Sequence, residues 1–142
     1  IDQPVTKERW LGITKGGCRL NGKPVRVRAC DDLKKAALHC TGPEIYTPGD
    51  LKRFERLRAQ VKLSRGSADC YAYALLATGF VDLVCEAGLK PYDYAAIVPV
   101  VEAAGGVVTD WQGQPLNLQS DGSILAAGDA RVHAQALEVL NS

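Results

Sequence analysis

The chain has 142 residues, which suits one domain, and 46% of them are hydrophobic, enough for a sizeable core. Its 17 basic and 16 acidic residues nearly balance, so no global field points to a nucleic acid or an anionic membrane surface as partner. No apolar run approaches the roughly 20 residues that cross a bilayer, and no signal or transit peptide is visible.

Residues 1–30 read as strands. Gly17-Cys18-Arg19-Leu20, then Asn21-Gly22, then residues 23–28 have the form of a hairpin, because Asn-Gly supplies the two positive-φ residues of a type I′ turn. Asp31-Asp32-Leu33 is a linker, and residues 36–40 are a short apolar strand. Thr47-Pro48-Gly49-Asp50 signals a helix start, with Leu51, Phe54, Leu57 and Val61 following at helical spacing. Lys52, Arg53, Arg56 and Arg58 fall mostly on its other faces, as on a solvated helix surface.

Strands and helices then alternate. Residues 61–63 read as a strand, 69–79 as an Ala/Leu-rich helix ending at a glycine, and 81–85 as a buried strand. A helix is expected over 91–104, strands over 107–109 and 123–127, and a last amphipathic helix over 130–140. This alternation argues for an α/β architecture with a sheet buried between helices.

Cys18, Cys30, Cys40, Cys70 and Cys85 are odd in number, and no two stand at C-x-x-C spacing. With only His39 and His133 beside them, a zinc site has little support. Reduced thiols in a cytoplasmic protein are expected. The chain begins at Ile1 and contains no Met, which leads us to expect a piece of a longer polypeptide.

The most informative stretch is Pro91-Tyr92-Asp93-Tyr94-Ala95-Ala96-Ile97-Val98-Pro99-Val100-Val101-Glu102-Ala103-Ala104-Gly105-Gly106. Asp93 lies in the first turn of a helix that follows a buried strand. A carboxylate there can cap the helix. It can equally face a ligand, since ligands of α/β sheets bind beyond the carboxyl ends of strands. The residues by themselves leave both readings open.

The same stretch resembles the second signature of the inositol monophosphatase family. Tyr92-Asp93, Ala95, Pro99, Val100-Val101 and Ala104-Gly105-Gly106 match it, although Ala103 stands where Glu is usual and Glu102 lies one place earlier. The resemblance extends over nearly the whole chain, through Ile1-Asp2-Gln3-Pro4 with Glu8-Arg9-Trp10, Asn21-Gly22-Lys23-Pro24-Val25, Asp69-Cys70-Tyr71-Ala72-Tyr73, and Ala126-Ala127-Gly128-Asp129. Several of these variants are similar to the family's bacterial histidinol-phosphatase branch.

The resemblance implies the C-terminal part of a layered α-β-α-β-α fold. In it, residues 1–30 would belong to the N-terminal sheet and 31–142 to a C-terminal α/β domain. It implies Mg²⁺-assisted hydrolysis of a small phosphate ester such as histidinol phosphate, or an inositol or sugar phosphate. Asp93 matches a metal-binding aspartate. Glu86, Asp69, Ala68 and Ser67 match substrate-lining positions. An acid at Asp69 suits a cationic amine. The family's other metal motif, Asp-Pro-Ile-Asp-Gly-Thr, does not occur; Asp2 lacks its glycine and threonine and is not counted as a ligand. The fragment by itself is therefore expected to be inactive, an inactive remnant or interaction module being the alternative. Pairing with an N-terminal half or with a second copy is also expected, because the sheet would have open edges. Bland readings stand beside the site readings: Glu86 as a solvated strand end, Asp69 as a helix cap, Arg65 and Lys90 as surface charges.

Overall fold

The computed structural model describes residues 1–142. Strands β1 (Asp2–Gln3), β2 (Glu8–Ile13), β3 (Gly17–Leu20) and β4 (Lys23–Val25) form an antiparallel sheet in chain order. The expected tight turn joins β3 to β4. Asn21 and Gly22 both hold positive φ, 48° and 82°, and Leu20 pairs with Lys23. Alternation gives the sheet two faces: Trp10 and Cys18 point inward and are buried, while Leu11 and Ile13 are exposed.

The second sheet contains β5 (Ala37–His39), β6 (Leu63–Arg65), β7 (Leu83–Glu86), β8 (Val107–Thr109) and β9 (Ile124–Ala127), in the order β6-β5-β7-β9-β8. β5 runs parallel to β6 and β7, and β9 runs antiparallel to β7 and β8. Five α-helices, α1 (Pro48–Arg58), α2 (Tyr71–Ala77), α3 (Pro91–Tyr94), α4 (Ile97–Ala103) and α5 (Ala130–Leu140), and two 3₁₀ turns at Leu33–Lys35 and Pro43–Ile45 complete the chain.

Strand alternation assigns the layers. Ile124 and Ala126 pack with Tyr73, Leu76 and Val101 of α2 and α4, whereas Leu125 and Ala127 pack with Leu57 of α1 and Val132, Ala136 and Leu140 of α5. On its far side the α2–α4 layer meets Trp10 and Cys18, through Ala74, Ala77, Val100 and Ala104. The order is therefore sheet, helices, sheet, helices, a part of the expected layered α/β architecture. Trp10 anchors the first sheet by donating its indole N–H to Thr78 Oγ1 at 2.8 Å.

Two expected elements differ. The helix expected over 91–104 is two helices, broken after Tyr94. Pro99 has no N–H for the Ala95 carbonyl, and its ring crowds that carbonyl, so the helix restarts at Ile97. The strand expected at 61–63 lies two residues later, because Leu63 pairs with Ala37. Before it, Lys62 N–H closes the connection on the Ala36 carbonyl. All five thiols are free, and only Cys70 is exposed. No helix is long and apolar enough to cross a membrane.

Candidate active site

β5 and β7 lie side by side and parallel, with His39 opposite Val84. Two residues further along, their carboxyl ends present Thr41 and Glu86. Glu86 is 2% exposed, on the face toward α2. Three donors hold its carboxylate. Thr41 N–H reaches Oε1 at 3.0 Å, the Thr41 hydroxyl donates to the same oxygen, and the Tyr73 hydroxyl donates to Oε2 at 2.7 Å. Burial pushes the Glu86 carboxyl above the usual carboxylate range, and these bonds oppose that rise. Burial also drives the Tyr73 hydroxyl well up, so it stays protonated. Glu86 is thus not the solvated strand end that its position allowed.

In front of this pair lies a cavity of about 580 Å³. Asp2, Asp69, Asp93, Thr41 and Tyr73 are on its wall, beside apolar Ile45, Leu89 and Ile97. No Lys or Arg side chain lines it. A second cavity of about 580 Å³ lies on the outer face of the first sheet. There Arg9 is bonded to Asp2 at 2.6 Å and Arg19 to the Gly22 carbonyl at 3.1 Å. Of its three cations, Arg9 and Arg19 already have partners and Lys7 has none, and its one carboxylate, Asp2, is taken up by Arg9, so the strand-end cavity, with Asp69 and Asp93 on its wall, is the candidate site.

Asp93 is the third residue of α3. Its Oδ2 accepts the Lys90 N–H at 2.7 Å, while the residue is exposed and lies on the cavity wall. The cap reading of Asp93 holds, and it leaves the other carboxylate oxygen free on the cavity wall. Asp69 does not cap α2. The N-cap is Cys70, with no side-chain cap bond. Asp69 holds φ at 44°, and Ser67 holds it at 65°. Left-handed backbone at non-glycine residues costs on the order of 1 kcal/mol each, here in the loop beside the cavity. Ser67 N–H pins that loop to the Thr41 carbonyl at 2.7 Å, and Ala68 packs against the α2–α4 core.

Of the positions singled out in the sequence, the cavity brings together Asp69 and Asp93. Glu86 sits directly behind its wall. Ser67 and Ala68 shape the loop without lining it, and Arg65 and Lys90 do not line it either. Thr41 and Tyr73 escaped the sequence reading. Thr41 had a signal: it lies just beyond the carboxyl end of a short apolar strand, where ligands of α/β sheets bind.

No three Cys, His, Asp or Glu side chains converge as a group that could hold a metal ion. Mg²⁺ asks for near-octahedral oxygen ligation and dehydrates reluctantly. Asp93 offers one free carboxylate oxygen, so residues 1–142 by themselves do not fit the ion.

The profile of the inositol monophosphatase family matches residues 1–142. The chain belongs to that family. Among its relatives is the chloroplastic bifunctional phosphatase IMPL2 of Arabidopsis thaliana, 47% identical over 147 residues, covering 99% of this chain and 42% of that protein. A histidinol-phosphatase of Chlorobaculum parvum is 30% identical over 127 residues, covering 89% of this chain and 49% of that protein. A solved structure of an inositol monophosphatase from Zymomonas mobilis superposes with a TM-score of 0.97 at 40% identity, covering all of this chain and 56% of that one. The chain thus spans about half the length of the family members it matches.

Proposed function

We propose that residues 1–142 are the substrate-recognising half of a metal-dependent phosphomonoesterase acting on histidinol phosphate. One observation carries the reading: Asp69 presents an unbonded carboxylate to a cavity that no Lys or Arg lines. Such a wall suits an organic group bearing a cationic amine. The likeness to a histidinol-phosphatase, at 30% identity, supports the same branch. The likeness to the Zymomonas mobilis inositol monophosphatase supports a second reading, an inositol or sugar phosphate.

In this proposal Asp93 supplies one oxygen to a Mg²⁺ centre whose other ligands lie outside residues 1–142. Asp69 meets the amine, and Ser67 and Ala68 hold the loop that aims it. Residues 1–30 form part of a first sheet shared with the other half of the fold, and residues 31–142 form the C-terminal α/β domain. The partner of the open first sheet is that other half or a second copy of the chain.

The test is Asp69→Asn in a polypeptide carrying both halves. The expected result is a KM for histidinol phosphate raised about tenfold, equivalent to ~1.4 kcal/mol of lost attraction. An uncharged phosphate ester should be affected much less. An equal effect on both esters would remove the amine from the proposal.

A further inference from the structure

We infer that the outer face of the first sheet is an interface for an acidic partner, a helix whose apolar stripe is bordered by carboxylates, and that its charge excludes a second copy of this chain. This rests on the reading above only in taking the first sheet to have a partner.

Charge is divided along the chain. Residues 1–28 carry seven basic side chains against two acidic, a net +5, whereas residues 29–142 carry ten basic against fourteen acidic, a net −4. The near-neutral total therefore hides a cationic first sheet on an anionic body. One of the two acids in residues 1–28, Asp2, is already taken by Arg9 at 2.6 Å.

Register decides which side these charges occupy. Along β2, Arg9, Leu11 and Ile13 alternate with buried Trp10 and with Gly12, which rests on α4. They therefore share the face turned away from the helices. Pairing extends that face across the sheet: Arg19 lies opposite Leu11, and Pro24 lies opposite Arg19. Leu11 is 55% exposed and Ile13 48%. Lys7, without a partner, lines the same shallow cavity as Arg9, Leu11 and Arg19.

Such a face makes two demands at once. Its apolar pair gains by leaving water, and apolar surface rimmed by charge marks an interface. Its cations gain by meeting anions. Helices cover only the inner side of this sheet, and a sheet face is buried by packing against another element. An amphipathic helix meets both demands, with an apolar stripe on Leu11 and Ile13 and carboxylates beside it for the guanidinium groups. A second copy meets only the first. A symmetric contact lays the same patch on itself, so Arg9, Arg19 and Lys7 would face their own counterparts, and like charges across an interface repel.

Two helical peptides with one shared leucine stripe test this, one bordered by glutamates and the other by lysines. Each is titrated into the isotope-labelled chain and followed by NMR. The acidic peptide is expected to bind about tenfold tighter than the basic one at ~10 mM salt, shifting the amides of Arg9, Leu11 and Arg19. The advantage should vanish at ~1 M salt, where screening acts within about 3 Å. Arg9→Glu/Arg19→Glu should invert the preference, and dilution of the chain alone at low salt should leave these amides unmoved. Equal binding of the two peptides, binding of neither, or shifts confined to another face would overturn the inference. Dilution-dependent shifts at these amides would overturn the exclusion of a second copy. If the double variant does not fold, Arg19→Gln decides: the acidic peptide's advantage must fall, and an unchanged advantage is contrary. No phosphate ester takes part, so failure of the phosphatase reading and failure of this inference remain distinct.

Discussion

Thr41 N–H meets Glu86 Oε1 at 3.0 Å, joining the ends of β5 and β7 just where their backbone pairing has stopped. This contact closes the floor of the cavity, and it gives Glu86 a readable pH dependence. Burial raises the Glu86 carboxyl above its unfolded value. A raised group favours the fold fully below the unfolded value, about 4.3, and that contribution is lost as pH rises through the folded value. The stability of wild type minus that of Glu86→Gln should therefore be largest near pH 4 and smaller at pH 7, by urea unfolding at each pH.

The first sheet rests directly on α4 at Gly12. A Cβ there would lie 2.6 Å from Val100 Cα and 2.7 Å from the Pro99 carbonyl oxygen. Gly12→Ala must push backbone from backbone, at a cost of about 2–3 kcal/mol. Gly17→Ala meets no atom within 4 Å and faces only its φ of 81°, for about 1 kcal/mol. Chemical denaturation of the two variants should rank them in that order.

Asp129 starts α5 and does more than cap it. Its carboxylate accepts from Arg131 N–H at 2.9 Å, from the Arg131 guanidinium at 2.6 Å and from Cys30 N–H at 3.1 Å. These contacts, the Arg131 guanidinium first, hold its carboxyl well below the usual range. A depressed group contributes stability that is present above the unfolded value and lost as pH falls through the folded one. Asp129→Ala should cost about 1–2 kcal/mol at pH 7, and the gap to wild type should narrow progressively in acid titrations.

Much of this architecture was legible in the residues. Asn21-Gly22 announced its turn, Thr47 its helix, and residues 130–140 their helix with both ends correct. The split at Tyr94–Ile97 was missed because the apolar periodicity runs through it, and only the backbone chemistry of Pro99 breaks it. At the site, Asp93 was visible because the family signature carries it, and Asp69 because its segment, Asp69-Cys70-Tyr71-Ala72-Tyr73, resembles the family's helix start. Thr41 and Tyr73 were not, because their part depends on a carboxylate that reaches them only once β7 and α2 are packed. The burial of Glu86 was equally hidden: a charged residue at a strand end reads as solvated until the donors around it are known.

Arg28 clamps Asp82 with two parallel bonds, Nε to Oδ1 at 2.7 Å and Nη2 to Oδ2 at 2.6 Å. Asp82 is 1% exposed and also accepts the Ala37 N–H at 2.7 Å. The clamp ties the segment after the first sheet to the entries of β5 and β7. Arg28→Met strands a buried charge. Breaking a fully buried pair costs about 3–5 kcal/mol. Because the Arg28 side chain is itself half exposed, a loss of about 2 kcal/mol is expected. Equilibrium unfolding measures it, with Arg28→Lys recovering only part because a lysine cannot form the bidentate fork.

On the reading proposed above, Asp93 is the one metal ligand that this chain brings to a phosphomonoesterase site completed elsewhere. This is tested most directly by phosphate release from histidinol phosphate with Mg²⁺, in a polypeptide carrying both halves, wild type against Asp93→Asn. The amide preserves an oxygen for the Lys90 N–H, so the fold should hold by circular dichroism. A fall of about a hundredfold or more in kcat/KM, or ~2.7 kcal/mol of transition-state stabilisation, is expected. Full activity in a folded Asp93→Asn enzyme would contradict it.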